Sequence, residues 1–202
     1  MIKNVIFDCG QVLIHYEPAY MTGRYVTDEK DAKLVEEVVF DRLYWDRLDD
    51  GTISDEETVK CICDRLPERL HKQAEMVYYN WIYNIPEIEG MRELVRYIKS
   101  EYGVKTFLLS NISKYFASHR EEIEILNEID HCVFSAVCGL VKPDRKIFEY
   151  ICEKYSLKPE ESIFIDDNQA NIKAACDFGI KGYLFDGDVY HLKKYLEEIL
   201  GE

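Results

Sequence analysis

A chain of 202 residues, 47% hydrophobic and 32% charged, can bury a full core and lies far from a disordered composition, so it fits one globular domain or one domain carrying an inserted subdomain. A formal net charge of −14 disfavours nucleic acid and anionic membranes as partners, because both select a basic surface. With no apolar run as long as a membrane span, no signal-peptide pattern at the first strand, and seven scattered cysteines that read as reduced thiols, a cytoplasmic location is expected.

The chain opens on Asn4-Val5-Ile6-Phe7-Asp8-Cys9-Gly10-Gln11-Val12-Leu13. Residues 5–7 are an apolar run of β-formers, which predicts a buried strand with Asp8 at its C-terminal end and Gly10 permitting a sharp turn just beyond. No convincing strand follows between Pro18 and Asn84. Asp28-Glu29-Lys30-Asp31 is rich in acids that favour a helix start, and Leu34, Val35, Val38 and Val39 share one helical face. Gly51 stops an element, and Ser54 with Glu57 three residues on forms a capping box for the next. Pro67 opens a further helix that carries Met76, Val77, Tyr78, Tyr79, Trp81 and Tyr83. This block predicts a small helical bundle, and Pro86 marks the return to the main domain.

From Glu87 the pattern changes to regular alternation. A helix through Met91, Leu94, Val95 and Ile98 precedes a strand at residues 104–109 that ends at Ser110-Asn111, and a helix follows over about residues 113–126. A short strand at 132–134 comes next, then a helix begun by Pro143 and a strand at 162–165 ending at Asp166-Asp167. A helix through Ile172 and Ala175, a strand at 182–185 and a C-terminal helix through Leu192, Leu196 and Ile199 complete the pattern. Strands alternating with helices imply right-handed crossovers and a mostly parallel sheet covered on both faces, an α/β fold.

In a parallel sheet all C-terminal strand ends share one edge, so Asp8, Ser110-Asn111, Lys142 and Asp166-Asp167 are expected to meet. Taken singly each has a plain structural use: a turn residue at Asp8, a turn and cap at Ser110-Asn111, a solvated cation at Lys142, a helix start at Asp166-Asp167. Together they suit phosphoryl chemistry. A carboxylate such as Asp8 can serve as nucleophile, and Asp8 with Asp167 offers the oxygen ligands that Mg²⁺ prefers. Lys142 adds a second positive charge, while the Ser110 hydroxyl and nearby amide N–H groups can donate to phosphate oxygens.

These same motifs resemble those of the haloacid dehalogenase-like hydrolase superfamily across almost the whole chain. The first is Val5 to Leu13 around Asp8, the second Leu108-Leu109-Ser110-Asn111, the third Val141-Lys142-Pro143-Asp144, and the fourth Phe164 to Asn171 around Asp166-Asp167. The resemblance implies a Rossmann-like parallel sheet core, residues 1–17 and 85–202, with a small α-helical cap, residues 18–84, inserted after the first strand. Trp45 to Ser54 resembles a cap segment of the subgroup that includes α-glucose-1-phosphate phosphatase. By resemblance Asp8 is the nucleophile assisted by Lys142, and Ser110, Asn111 and Lys142 bind phosphate. Mg²⁺ is held by Asp8, the Gly10 carbonyl and Asp167, with Asp166 near it or reaching it through water. The implied activity is a Mg²⁺-dependent phosphatase acting on a small phosphorylated metabolite, with sugar phosphates as one candidate class, through an aspartyl-phosphate intermediate.

One departure stands out: the second Asp of the first motif, the family's general acid and base, is Gly10 here. His15 and Glu17 on the following loop are candidate substitutes. The same departure keeps open a non-catalytic protein binding a phosphometabolite or a protein partner. A metal-independent haloacid dehalogenase also lacks the second Asp, but it lacks the Asp166-Asp167 pair as well. The aromatic residues Tyr78, Tyr79, Trp81 and Tyr83 read equally as core packing and as a sugar platform.

Overall fold

The computed structural model describes residues 1–201. Among them, five parallel strands form one sheet in the order β3-β2-β1-β4-β5: β1 (Asn4–Phe7), β2 (Lys105–Ser110), β3 (His131–Phe134), β4 (Ser162–Asp166) and β5 (Lys181–Leu184). The expected α/β architecture is therefore present.

Strand alternation sorts the core into two layers. On one face Val5, Phe7, Leu108, Ile163 and Ile165 pack against α6 (Met91–Tyr102) and α11 (Val189–Leu200) through Leu94, Val95, Ile98, Leu192 and Leu196. On the other Ile6, Phe107, Leu109 and Phe164 meet Ile147, Phe148 and Ile151 of α9 (Arg145–Tyr155) and Ile172 and Ala175 of α10 (Gln169–Phe178). Strands buried on both faces explain the unbroken apolar runs in the sequence.

Between β1 and β2 lie five short helices before α6: α1 (Pro18–Gly23), α2 (Glu29–Val39), α3 (Arg42–Asp49), α4 (Asp55–Asp64) and α5 (His71–Asn80). The polar cues start them as read: Asp28 accepts from the amides of Lys30 and Asp31, and Ser54 accepts from the Glu57 amide at 3.1 Å. Their apolar faces make a cluster of their own around Val35, Leu48, Ile62, Leu70, Val77 and Tyr78. None of the helices is long and apolar enough to cross a membrane among the described residues.

Several boundaries differ from the sequence reading. The helix expected over 113–126 is broken into α7 (Lys114–Ser118) and two 3-10 turns, Arg120–Glu122 and Glu124–Glu128. Ile123 leaves helical geometry at φ −100°, ψ 95°, and the Ile125 amide donates to the Glu87 carboxylate at 3.0 Å rather than to a helical carbonyl. A four-residue α8 (Ser135–Cys138) follows β3, and α9 begins after Asp144, which caps it by accepting from the Lys146 amide at 3.0 Å. Pro143 therefore precedes the helix instead of opening it. Trp81 and Tyr83 fall in the turn after α5.

Candidate active site

Register builds the site. Phe7 pairs with Leu108 on one side and Ile165 on the other, and the Asp8 amide donates to the Ile165 carbonyl at 2.9 Å, so Asp8 and Asp166 leave neighbouring strands side by side. Between them Lys142 Nζ donates to Asp8 Oδ1 at 2.8 Å and to Asp166 Oδ2 at 2.7 Å, with a side chain only 2% exposed. The loop that carries Lys142 is clamped from β2: Asn111 Oδ1 accepts from the Lys142 amide at 2.8 Å, and Asn111 Nδ2 donates to its carbonyl at 2.9 Å. Both ends of the Asn111 amide thus hold the lysine's backbone.

Asp166 is fully buried and saturated. Its Oδ1 accepts from the Asn168 amide at 2.8 Å and Asn171 Nδ2 at 3.1 Å, and its Oδ2 accepts from Asn171 at 3.0 Å as well as from Lys142. Asp167, beside it, is exposed at the cavity wall. Carboxylate oxygens of Asp8, Asp166 and Asp167 come within 4.8 Å of one another, an oxygen-rich cluster of the kind that holds a hard cation. Burial raises the Asp8 carboxyl to about 6, with Lys142 opposing and Asp166 adding to the rise. Asp167 is raised for the same reason, burial first and the Asp166 charge second. Burial works against the Lys142 ammonium, but Asp8 and Asp166 outweigh it and hold its pKa above the ordinary lysine value. One ammonium is bonded to two of three clustered carboxylates, so the site carries an excess of negative charge.

A cavity of about 400 Å³ opens above this edge. Its floor carries Asp8, Gly10, Ser110, Asn111, Lys142 and Asp167, and its walls include Tyr16, Arg42, Trp45, Asp49, Trp81 and Phe116. Aromatic contacts tie the walls together: Trp45 stacks on Phe40 at 5.5 Å and meets Trp81 and Tyr16 edge-on at 5.5 and 5.9 Å, while Trp81 stacks on Phe116 at 5.7 Å. Trp45 Nε1 also donates to the Val39 carbonyl at 2.7 Å, which fixes the ring over the cavity.

The expected residues therefore meet at one edge, with Asp166 buried beneath the cavity floor and not lining it. Gly10 is not the residue that makes the turn, since the left-handed backbone belongs to Gln11 at φ 56°. A Cβ at Gly10 would meet Tyr16 Cβ at 3.5 Å, an ordinary contact, so this backbone does not require a glycine. His15 and Glu17 pair with each other at 3.6 Å, exposed and off the wall of this cavity. Of the four candidate platform aromatics only Trp81 faces it. Tyr78 packs in the helical insert and donates to Asp55 at 2.8 Å, and Tyr79 stacks edge-on against Tyr115 at 5.3 Å. Sequence reasoning named no site role for Tyr16, Arg42, Trp45 or Asp49. The available signal was the segment from Trp45 to Ser54, which set the last two apart without saying which way their side chains face.

A family model described as haloacid dehalogenase-like hydrolase matches residues 2–179. Among curated proteins, the mouse "Acyl-CoA dehydrogenase family member 10" is 28% identical over 98% of this chain, which spans only 19% of that protein. The D-ribitol-5-phosphate phosphatase of Bacteroides thetaiotaomicron is 24% identical over 91% of both chains. Among solved structures, a HAD family enzyme from the same bacterium, in complex with magnesium and inorganic phosphate, superposes with a TM-score of 0.69 at 22% identity, covering 95% of this chain and 99% of that one.

Proposed function

The chain belongs to the haloacid dehalogenase-like hydrolases, and we propose that it is a Mg²⁺-dependent phosphatase for a small phosphorylated metabolite, with the helical insert as the cap over its site. The observation that carries the reading is the ammonium of Lys142 held between Asp8 and Asp166 at the base of a cavity into which Asp8 opens. Asp8 attacks phosphorus, the alcohol departs, and water then releases phosphate from the aspartyl phosphate, so one hard displacement becomes two easier ones. Lys142 and the Ser110 hydroxyl hold phosphate oxygens, and Asn111 keeps Lys142 in place.

The donor set fits Mg²⁺. Asp166 has its oxygens taken by Lys142, Asn168 and Asn171, which leaves Asp8, Asp167 and the Gly10 carbonyl to hold the ion. When bound, the ion offsets the repulsion between the Asp8 carboxylate and an anionic phosphate, a need made sharper by a net charge of −14. For the substrate, the similarity to a ribitol phosphatase over 91% of both chains supports a polyol or sugar phosphate, whose carbon chain can lie against Trp45 and Trp81.

Phosphate release from a panel of polyol, sugar and aryl phosphates, with Mg²⁺ and after dialysis against EDTA, tests the reading. Mg²⁺-dependent turnover is expected. Undiminished phosphate release in EDTA would remove the metal from the reading, and halide release from 2-haloacids without metal would point to the dehalogenase branch. Gly10 favours a second reading, a binding protein without turnover, which predicts saturable binding of phosphorylated ligands and no phosphate release.

A further inference from the structure

Gly10 leaves no side chain where the first motif of the family carries its acid and base, and we propose that Asp49, entering the cavity from the C-terminal end of α3, moves the proton instead. This inference rests on the phosphatase reading above.

Asp49 is buried, at 7% exposure, and its Oδ1 is sealed from solvent without a hydrogen-bond partner. An unpaired oxygen sealed in this way penalises the charged form of the carboxyl, and Asp49 turns the little surface it exposes to the cavity. Asp49 shares its cavity with Asp8 and Lys142. It is also held there: Leu48 and Trp45 anchor α3 by burial, and Gly51 brings the following turn against the Ala136 carbonyl, so close that an added Cβ would lie 2.8 Å from that oxygen.

The direction of attack gives Asp49 its role. In an in-line displacement the entering and leaving oxygens stand on opposite sides of phosphorus. Asp8 attacks from the sheet edge, so the leaving oxygen faces the insert, the wall that carries Asp49. His15 and Glu17 lie off this wall, and Arg42 carries a guanidinium that only donates hydrogen bonds. The charges that act on Asp49 come from Arg42 and Asp46 on its own helix and from Asp8 and Lys142 on the floor, and Asp49 in turn acts on Tyr16 from the loop after β1. Burial, with Asp46 and Asp8 adding and Arg42 and Lys142 opposing, brings its carboxyl to about 7, where a group can give a proton in one step and take one in the next.

The proton accounting closes. Asp8 Oδ bonds to phosphorus as the bond from phosphorus to the substrate oxygen breaks, and Asp49 gives its proton to that oxygen, leaving an alcohol and an Asp49 carboxylate. Water then bonds to phosphorus, Asp49 takes the water's proton, and the bond from phosphorus to Asp8 breaks. Phosphate leaves, with Asp8 ionised and Asp49 protonated as at the start.

The experiment compares wild type with Asp49→Asn, which keeps the shape but carries no titratable proton, on ribitol 5-phosphate and para-nitrophenyl phosphate. Circular dichroism and melting check the fold, and Asp8→Asn serves as the inactive control. The alkyl substrate needs a protonated leaving group, whereas nitrophenolate leaves unaided. Asp49→Asn is therefore expected to lower kcat on ribitol 5-phosphate by about 10²–10⁴-fold, the usual worth of general acid and base help. The rapid-quench burst of nitrophenol should stay within about tenfold of wild type, followed by slow turnover and a trapped phosphoenzyme. Gly10→Asp in the Asp49→Asn background, at a position with room for a side chain, should restore alkyl turnover at least about tenfold. Equal loss of the first-turnover rate on both substrates, or a loss confined to KM, would make Asp49 a substrate-binding group and overturn the proposal. Absence of turnover by wild type on both probes would remove the phosphatase reading itself, an outcome separate from a wild type that turns over while Asp49→Asn matches it.

Discussion

Two buried carboxylates, one at the end of β4 and one at the end of α3, share low exposure and differ in everything else. Asp166 accepts from a backbone amide, an Asn amide and an ammonium, whereas Asp49 has an oxygen with no partner at all. Asp166 at the sheet edge has its partners fixed within the protein, whereas Asp49 on the insert has an oxygen that none of its neighbours satisfies. The contrast can be broken from either side.

The largest effect is expected at the sheet edge. Asp8→Asn keeps the shape but removes the nucleophile, and turnover should fall by about 10⁴-fold or more, the scale seen when a covalent catalyst is removed. Rates on purified protein check it, and a loss below about tenfold, ~1.4 kcal/mol, would remove Asp8 from the role. Lys142→Met comes next. It leaves Asp8 and Asp166 facing each other without their shared cation, and removal of one partner from a buried ion pair typically costs about 3–5 kcal/mol. Denaturant unfolding should show a loss of that order, and an unchanged midpoint would mean that Lys142 does not hold Asp8 and Asp166 as a buried ion pair.

The same contrast explains what was legible in the sequence. Asp8, Ser110, Lys142 and Asp167 sit at strand ends or in the loops beyond them, and a parallel sheet brings such ends to one edge whatever the intervening chain does. Apolar runs and capping residues fixed most elements for similar local reasons. Asp49 lies in a helix that reads as ordinary, Arg42-Leu43-Tyr44-Trp45-Asp46-Arg47-Leu48-Asp49, with three other acids among residues 41–50. Which of these faces the cavity depends on how α3 docks, a tertiary property that no local pattern records. The break after α7 was hidden likewise, because the Glu87 carboxylate that receives the Ile125 amide lies 38 residues away.

On the insert side, Asp49 should also give a pH signature in stability. Its carboxyl stands at about 7 in the folded protein against 3.8 in the free side chain, so the unfolded chain loses that proton first. Stability contributed by the neutral group is therefore present at low pH and is withdrawn as pH rises from about 4 through about 7, by on the order of 4 kcal/mol in all. Asp49→Asn has no such proton. Its melting temperature should exceed that of wild type at pH 8 and approach it near pH 5, and parallel curves across this range would show that Asp49 is not held neutral by burial.

The smallest expected effect separates position from chemistry. Gly51 has φ +75°, and an added Cβ would stand 2.8 Å from the Ala136 carbonyl, at the contact between the turn after α3 and α8. Gly51→Ala thus meets a left-handed backbone, worth about 1–2 kcal/mol against a side chain, and a backbone oxygen that cannot move aside cheaply. The strain is relieved most easily by lifting the turn, and Asp49 two residues earlier moves with it. Stability should fall by only about 1–2 kcal/mol, while turnover of alkyl phosphates falls by more than turnover of para-nitrophenyl phosphate, because Asp8, Lys142 and Asp167 stay in place on the sheet edge. Gly51→Asn tolerates the left-handed backbone better but retains the steric contact, so it should recover part of the stability and little of the alkyl rate. If both variants fold and keep wild-type rates on both substrates, the docking of this turn does not position Asp49.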